Sequence, residues 1–171
     1  MPWRGILRYT TGALLFALGV CGLWLMLRRM SRRPWTRRDA LALAAVGYLA
    51  ALMQITGLRL GLRPVRWLGS GLHPVPLRTT LSQWRLGPGA FAYHVLGNLA
   101  WFVPLGLLLP RLRPRCRWHQ ALLAGAALSA FAEALQYLLG TGISDVDDVL
   151  LNALGALLGW ELHRLTRRGA R

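Results

Sequence analysis

Lysine is missing from this 171-residue chain and carboxylates are scarce: all 21 basic residues are Arg, against six Asp and Glu. The missing Lys reads most simply as coding bias and carries no chemistry. Cysteine occurs twice, as Cys21 and Cys116, with no metal-ligand spacing between the two. Both are expected as free thiols. Zinc-ligand pairs and glycine-rich phosphate loops are absent, and no Ser/His/Asp triad follows from spacing, so the common soluble hydrolase and nucleotide-binding plans find no support. There is no tandem repeat.

What is present is apolar sequence in blocks. A formal charge of +15 would suit nucleic acid, where basic residues neutralise phosphates. Here, however, the Arg residues flank apolar runs of about 20 residues, the length that crosses a hydrocarbon layer of roughly 30 Å. Nucleic acid is therefore set aside in favour of membrane lipids as partner. The expected fold is all-α, a polytopic transmembrane helical bundle of about five spans: Ile6–Leu27, Ala40–Leu58, Phe91–Leu109, His119–Leu139 and Val149–Leu165. The first block is expected to be retained rather than cleaved, because Arg28-Arg29 follow it and no A-x-A site does. A polybasic loop with Trp35 joins the first two spans, and Asp39 is a candidate cap for the second. A Pro/Gly-rich segment from Arg59 to Ala90 repeatedly breaks helix and, with Trp67 and Trp84, is expected at headgroup level. Residues 1–75 form one region, and residues 76–171 a second with the last three spans.

Arg counts in the connecting segments place 14 on one side of the membrane and seven on the other. By the positive-inside bias the N-terminus lies out and the C-terminus in, with the acidic loop before the last span facing outward.

That loop holds Asp145, Asp147 and Asp148. Glu133 lies upstream on a stripe with Ser129 and Gln136, and an intramembrane carboxylate of this kind must face protein, water or a cation. Asn98, deep in the third span, needs a partner, and His94 shares its helix face. Asp148, Asn152, Gly155 and Gly159 make a polar-then-small stripe, with Gly155-x-x-x-Gly159 admitting a close helix neighbour. The candidate site is thus Asn98, Glu133, Gln136, Asp145, Asp147, Asp148 and Asn152, with His94 and Arg78 as further candidates. Oxygen-rich groups suit Mg2+ or Ca2+, for which Glu133, Asp145 and Asp148 are the candidate ligands, or they clamp Arg78 and Arg85. No cofactor is required by the sequence. Catalysis is less supported than binding: Asp145 and Asp148 form an Asp-x-x-Asp pair of the type that holds Mg2+ against a diphosphate, a spacing common by chance.

Four elements, in order, resemble the VanZ-like membrane proteins of bacteria. Pro76-Leu77-Arg78-Thr79 is similar to their Pro-Phe-Arg/Lys-Thr element, and Asn98 to Gly106 to their Asn-x3-Phe-x-Pro-x-Gly span. Ser129 with Glu133-x-x-Gln136 is similar to their acidic span, and Asp145 to Gly159 to their Asp-x-Asp-Asp-x3-Asn-x2-Gly-x3-Gly ending. Leu77 stands where the family commonly has Phe, and Ile143-Ser144 where it has Arg and an aromatic. The resemblance implies a multi-pass bacterial plasma-membrane protein of the cell envelope, and a cell-wall precursor or lipid-linked ligand is the candidate partner beside membrane lipids. The founding member is associated with resistance to the glycopeptide teicoplanin. Three readings stand: an outward-facing polar site for an envelope ligand or cation, a Mg-dependent enzyme acting on a lipid-linked phosphate, and a structural protein whose carboxylates only hold Arg.

Overall fold

In the computed structural model, residues 3–55 and 71–168 are described. They form α1 (Trp3–Met30), α2 (Arg37–Met53), β1 (Leu72–His73), α3 (Arg78–Leu86), α4 (Pro88–Leu112), α5 (Trp118–Leu139), β2 (Ser144–Asp145) and α6 (Val146–Arg168). The all-helical expectation holds, and each expected span has a helix at its place. The end of the second span, Trp67 and much of the Pro/Gly-rich segment lie outside the described residues.

Three helices combine the length and apolar character needed to cross a membrane: α1 from Thr11, α4 and α5. The described part of α2 is 17 residues and opens on Arg37, Arg38 and Asp39. In α6 the uninterrupted uncharged stretch runs only from Val149 to Trp160, between Asp148 and Glu161. On α1 the large side chains of Leu14, Leu15, Leu18 and Met26 are exposed, the surface expected of a helix whose neighbour is lipid.

A compact link joins α1 to α2. Thr36 is the N-cap of α2 and forms a capping box with Asp39, so Asp39 acts one turn inside the cap. Arg28 donates from Nε to Asp39 Oδ1 at 2.8 Å and from Nη2 to Oδ2 at 3.1 Å, a two-pronged pair of the strong kind. The same guanidinium reaches the Arg33 and Pro34 carbonyls, closing the loop. The Arg28 guanidinium, followed by the Thr36 hydroxyl, holds the Asp39 carboxyl well below the usual carboxylate range. A depressed folded-state pKa stabilises above the unfolded value of about 3.9 and loses that contribution as pH falls through the folded value. An Asp39→Asn variant should therefore melt below the parent at pH 7, and the two thermal midpoints should converge only in strong acid.

The core lies where α2, α4, α5 and α6 meet. Leu52, Phe102, Leu105 and Ala156 are buried together, with Tyr48, Leu49, Leu109 and Leu128 packed against them. Helices α4 and α6 approach with backbones in contact, because Gly106, Gly155 and Gly159 carry no Cβ: one at Gly159 would sit 2.0 Å from the Val103 carbonyl oxygen, and one at Gly155 2.3 Å from that of Leu99. Gly125 gives α5 the same access, opposite Ala153 and Ala156. The stripe read in the sequence thus serves α4. Pro104 sits inside α4, where it removes one helical N–H. The Tyr48 hydroxyl of α2 donates to the adjacent Trp101 carbonyl at 2.8 Å.

The Pro/Gly-rich segment departs from the expected run of broken loop. It contains the nine-residue helix α3 and the short parallel pairing of β1 with β2, in the register Leu72 to Ser144 and His73 to Asp145. This pairing brings residues 71–86 onto the acidic loop.

Candidate functional site

Each acidic-loop carboxylate has its own task. Asp145 lies just ahead of α6, and its Oδ1 accepts the Asp147 N–H at 2.9 Å, as a helix-capping side chain does. Its Oδ2 accepts the Thr79 hydroxyl and faces His73 Nδ1 at 3.4 Å. Asp147, 1% exposed, reaches across to α3: it accepts the Leu77 N–H, the Thr80 N–H at 2.8 Å and the Thr80 hydroxyl at 2.9 Å. The N-cap of α3 is Leu77, left-handed at φ 64°, and its side chain makes no capping bond. The carboxylate of Asp147 therefore caps a helix distant in sequence, satisfying N–H groups that every helix start leaves open.

Asp148 faces inward instead. Its Oδ1 accepts from Asn98 Nδ2 at 2.8 Å and lies 3.8 Å from His94 Nδ1. Asn98 also donates to the His94 carbonyl at 3.1 Å, and His94 Nε2 is 3.4 Å from the Thr80 hydroxyl. From α5, Glu133 Oε2 accepts the Asp145 N–H at 2.8 Å. Asn152 donates from Nδ2 to Ser129 Oγ at 2.8 Å, while its Oδ1 is buried with no hydrogen-bond partner among the described residues.

These groups surround one cavity of about 560 Å3, within the range of small-molecule sites. His94, Asn98, Glu133, Gln136, Asp148 and Asn152 all line it. Asp145 and Asp147 stand behind this wall and hold its frame. Arg78 is outside the site: it is the first residue of α3, and neither it nor Arg85 enters an ion pair among the described residues. The carboxylates expected to clamp Arg are held by hydroxyls, backbone N–H groups and histidines.

Divalent-cation chemistry fits this arrangement poorly. Both Asp145 oxygens are engaged in the frame, and Asp148 looks into the cavity while Asp145 does not line it, so the Asp-x-x-Asp pair does not act as a unit. No group of three or more His, Cys, Asp or Glu among the described residues is placed to hold a metal ion. What the cavity offers is acceptor oxygen, from Glu133, Asp148 and the open Asn152 Oδ1, beside the aromatic rings of Tyr93 and Trp101.

Those two rings were not singled out in the sequence, and neither were Gly97 and Gln83, which also line the cavity. The available signal was the i, i+4, i+8 spacing of Tyr93, Gly97 and Trp101, one face of α4 beside His94 and Asn98. The framing residues His73 and Thr80 had no such signal, because their partners Asp145 and Asp147 lie about 70 residues away in sequence; Thr79 stood only in the Pro76-Leu77-Arg78-Thr79 element.

The first and last of the four sequence elements described above, around Thr79 and around Asp145 to Asp148, are thus hydrogen-bonded to each other, and the middle two supply the cavity wall together with Asp148 and Asn152 of the last. No curated protein and no solved structure matches the chain. The family model described as VanZ/LLP1 matches residues 15–167, nearly the whole chain and well beyond those four elements. Its apolar helices fit a membrane protein, and the chain belongs to the VanZ/LLP1 family.

Proposed function

We propose that the chain is a multi-pass plasma-membrane protein whose outward-facing cavity binds an envelope ligand through that ligand's hydrogen-bond donors. The observation that carries this reading is Asn152 Oδ1, an acceptor with no hydrogen-bond partner among the described residues on a side chain 3% exposed, in the wall of a cavity that also holds Glu133 and Asp148. An orphaned buried acceptor costs about 1–3 kcal/mol, and a donor entering the cavity removes that cost. Hydroxyl, amide N–H and ammonium groups are such donors, and a cell-wall precursor or lipid-linked sugar presents several. Tyr93 and Trp101 at the wall supply flat apolar surface with a polar edge, suited to such a ligand. Five crossings with the N-terminus out put this cavity at the outer leaflet. In α6 Asp148 and Arg164 are 16 residues apart, about 24 Å along a helix, and Glu161, the one charge between them, is paired with Arg164, so the charges of α6 can flank a crossing.

The test uses Glu133→Gln and Asp148→Asn, which keep an acceptor for the Asp145 N–H and for Asn98. Purified protein should retain its helical signal and lose affinity for lipid-linked cell-wall precursor by roughly 10- to 100-fold per variant, since a hydrogen bond to a charged group contributes about 1.5–3 kcal/mol. Teicoplanin susceptibility of a host expressing the chain should shift with the parent and not with the variants. Unchanged precursor binding in both variants refutes the reading. Topology has its own check: Cys116, in the loop between α4 and α5, should resist membrane-impermeant maleimide in intact cells and react once they are opened.

A further inference from the structure

A second pocket lies at the opposite end of the bundle, independent of the polar cavity. It has a volume of about 300 Å3 and forms where the C-terminal part of α6 meets the loop between α4 and α5. Asn152 and Arg164, one from each site, are 12 residues apart on α6, about 18 Å along the helix.

The chemistry of this pocket is the reverse of the first. His163, Arg164, Arg167 and Arg168 line it together with Trp160, and Arg111 directly follows the lining Pro110. Glu161 neutralises Arg164 through a 2.7 Å ion pair, and the Arg164 guanidinium lies 5.7 Å from the Trp160 ring centre. Arg111, Arg167 and Arg168 enter no ion pair among the described residues. Both ring nitrogens of His163 are shielded from solvent and have no hydrogen-bond partner among the described residues. The pocket also has a fixed wall, because Trp160 Nε1 donates to the Cys116 carbonyl at 3.0 Å and ties α6 to the loop.

We infer that this pocket binds the phosphate of an anionic membrane lipid. Guanidinium groups and an imidazole N–H are donors of the kind that phosphate oxygens accept, and the unsatisfied imidazole obtains a partner. The apolar surface nearby selects a lipid over a free anion. Leu112 and Trp118, exposed on the two helices that the loop joins, lie two residues from the lining Pro110 and Cys116. Acyl chains have a surface to follow away from the headgroup, and positive charge beside a membrane helix attracts anionic lipid.

The experiment is native mass spectrometry of the full chain released from detergent, with phosphatidylglycerol, phosphatidylcholine and inorganic phosphate as probes. The parent should retain phosphatidylglycerol at least tenfold more than phosphatidylcholine, and millimolar inorganic phosphate should not displace it. Retention should fall at least tenfold in the Arg167→Gln, Arg168→Gln pair and severalfold in His163→Ala. The control is an Arg32→Gln, Arg33→Gln pair, which removes equal charge from the loop between α1 and α2 and should leave retention unchanged. An equal loss in the control would reduce the effect to net charge and overturn the site. Displacement by millimolar phosphate would overturn the lipid assignment. Circular dichroism of each variant separates lost binding from lost fold, and an intact His163→Ala protein with full lipid preference also sinks the proposal.

Discussion

Leucine at Gly159 is expected to separate α6 from α4 and to leave little protein that survives purification in detergent. The first added atom, Cβ, would lie 2.0 Å from the Val103 carbonyl oxygen and 3.0 Å from Gly106 Cα. These are backbone atoms of a helix, so no side chain can rotate aside and the whole axis must move. Overpacking commonly costs about 1–3 kcal/mol and sometimes more; contact with backbone puts Gly159→Leu at the upper end or beyond. In a membrane the effect is sharper in kind, since lipid competes for apolar surface and close packing of small residues is what holds helices together. Gly155→Leu and Gly106→Leu should behave alike, with Cβ positions 2.3 Å from the Leu99 oxygen and 1.9 Å from the Ala156 oxygen. Gly19→Ala and Gly22→Ala are the controls, because among the described residues nothing lies within 4 Å of either added Cβ. Thermal midpoints in detergent decide the matter. A Gly159→Leu protein that melts with the controls would show that α4 and α6 do not pack this way.

Asp147→Ala should detach α3 while leaving the helices around the core in place. The carboxylate accepts two backbone N–H groups and one hydroxyl at the start of α3, and no side chain of Leu77 substitutes for it. Losing an N-cap costs about 0.5–2 kcal/mol, and each donor left buried and unpaired adds roughly 1–3 kcal/mol. Leu77 also holds an unfavourable φ of 64°, which costs about 1–2 kcal/mol and is sustained only while its N–H stays bound. The segment should then open locally rather than unfold the chain. Hydrogen exchange should rise by at least tenfold at residues 77–86 and stay unchanged in α4 and α6. Asp147→Asn, with one acceptor oxygen left, should fall between. Equal exchange in parent and alanine variant would disprove the cap.

Opening α3 has a consequence for the cavity. Thr80 contacts both Asp147 and His94, and Gln83 of α3 lines the cavity itself. Segment 71–86 therefore closes one side of the polar cavity, and on the function proposed above Asp147→Ala should weaken precursor binding without removing any group placed in the cavity wall.

Much of the site was legible in the sequence because polar residues inside apolar helices are few and expensive. Asn98, Glu133, Gln136, Asp148 and Asn152 stood out for that reason, and helical periodicity set which of them share a face. All five line the same cavity, and His94 joins them. The spacing of Gly155 and Gly159 was equally readable, although their partner on α4 was not. Asp145 and Asp147 were grouped with the cavity residues on charge alone; their adjacency in sequence does not reveal that a helix start turns neighbouring side chains toward different surroundings.

By itself the sequence determined an all-helical chain with apolar stretches bounded by Arg, and a short inventory of costly polar groups that had to find partners. Periodicity and the cost of burying polar atoms are local properties, carried by each segment wherever it lies. Only the tertiary structure decided which partners those were. The cap of α3 comes from a carboxylate about 70 residues later in the chain, and the hydroxyls of Thr79 and Thr80 take the place foreseen for Arg78 and Arg85. The acidic loop that stood out as a charge anomaly divides into two structural carboxylates and one that faces the cavity. A hydrogen bond needs its donor within about 3 Å, and that distance is set by how the helices pack.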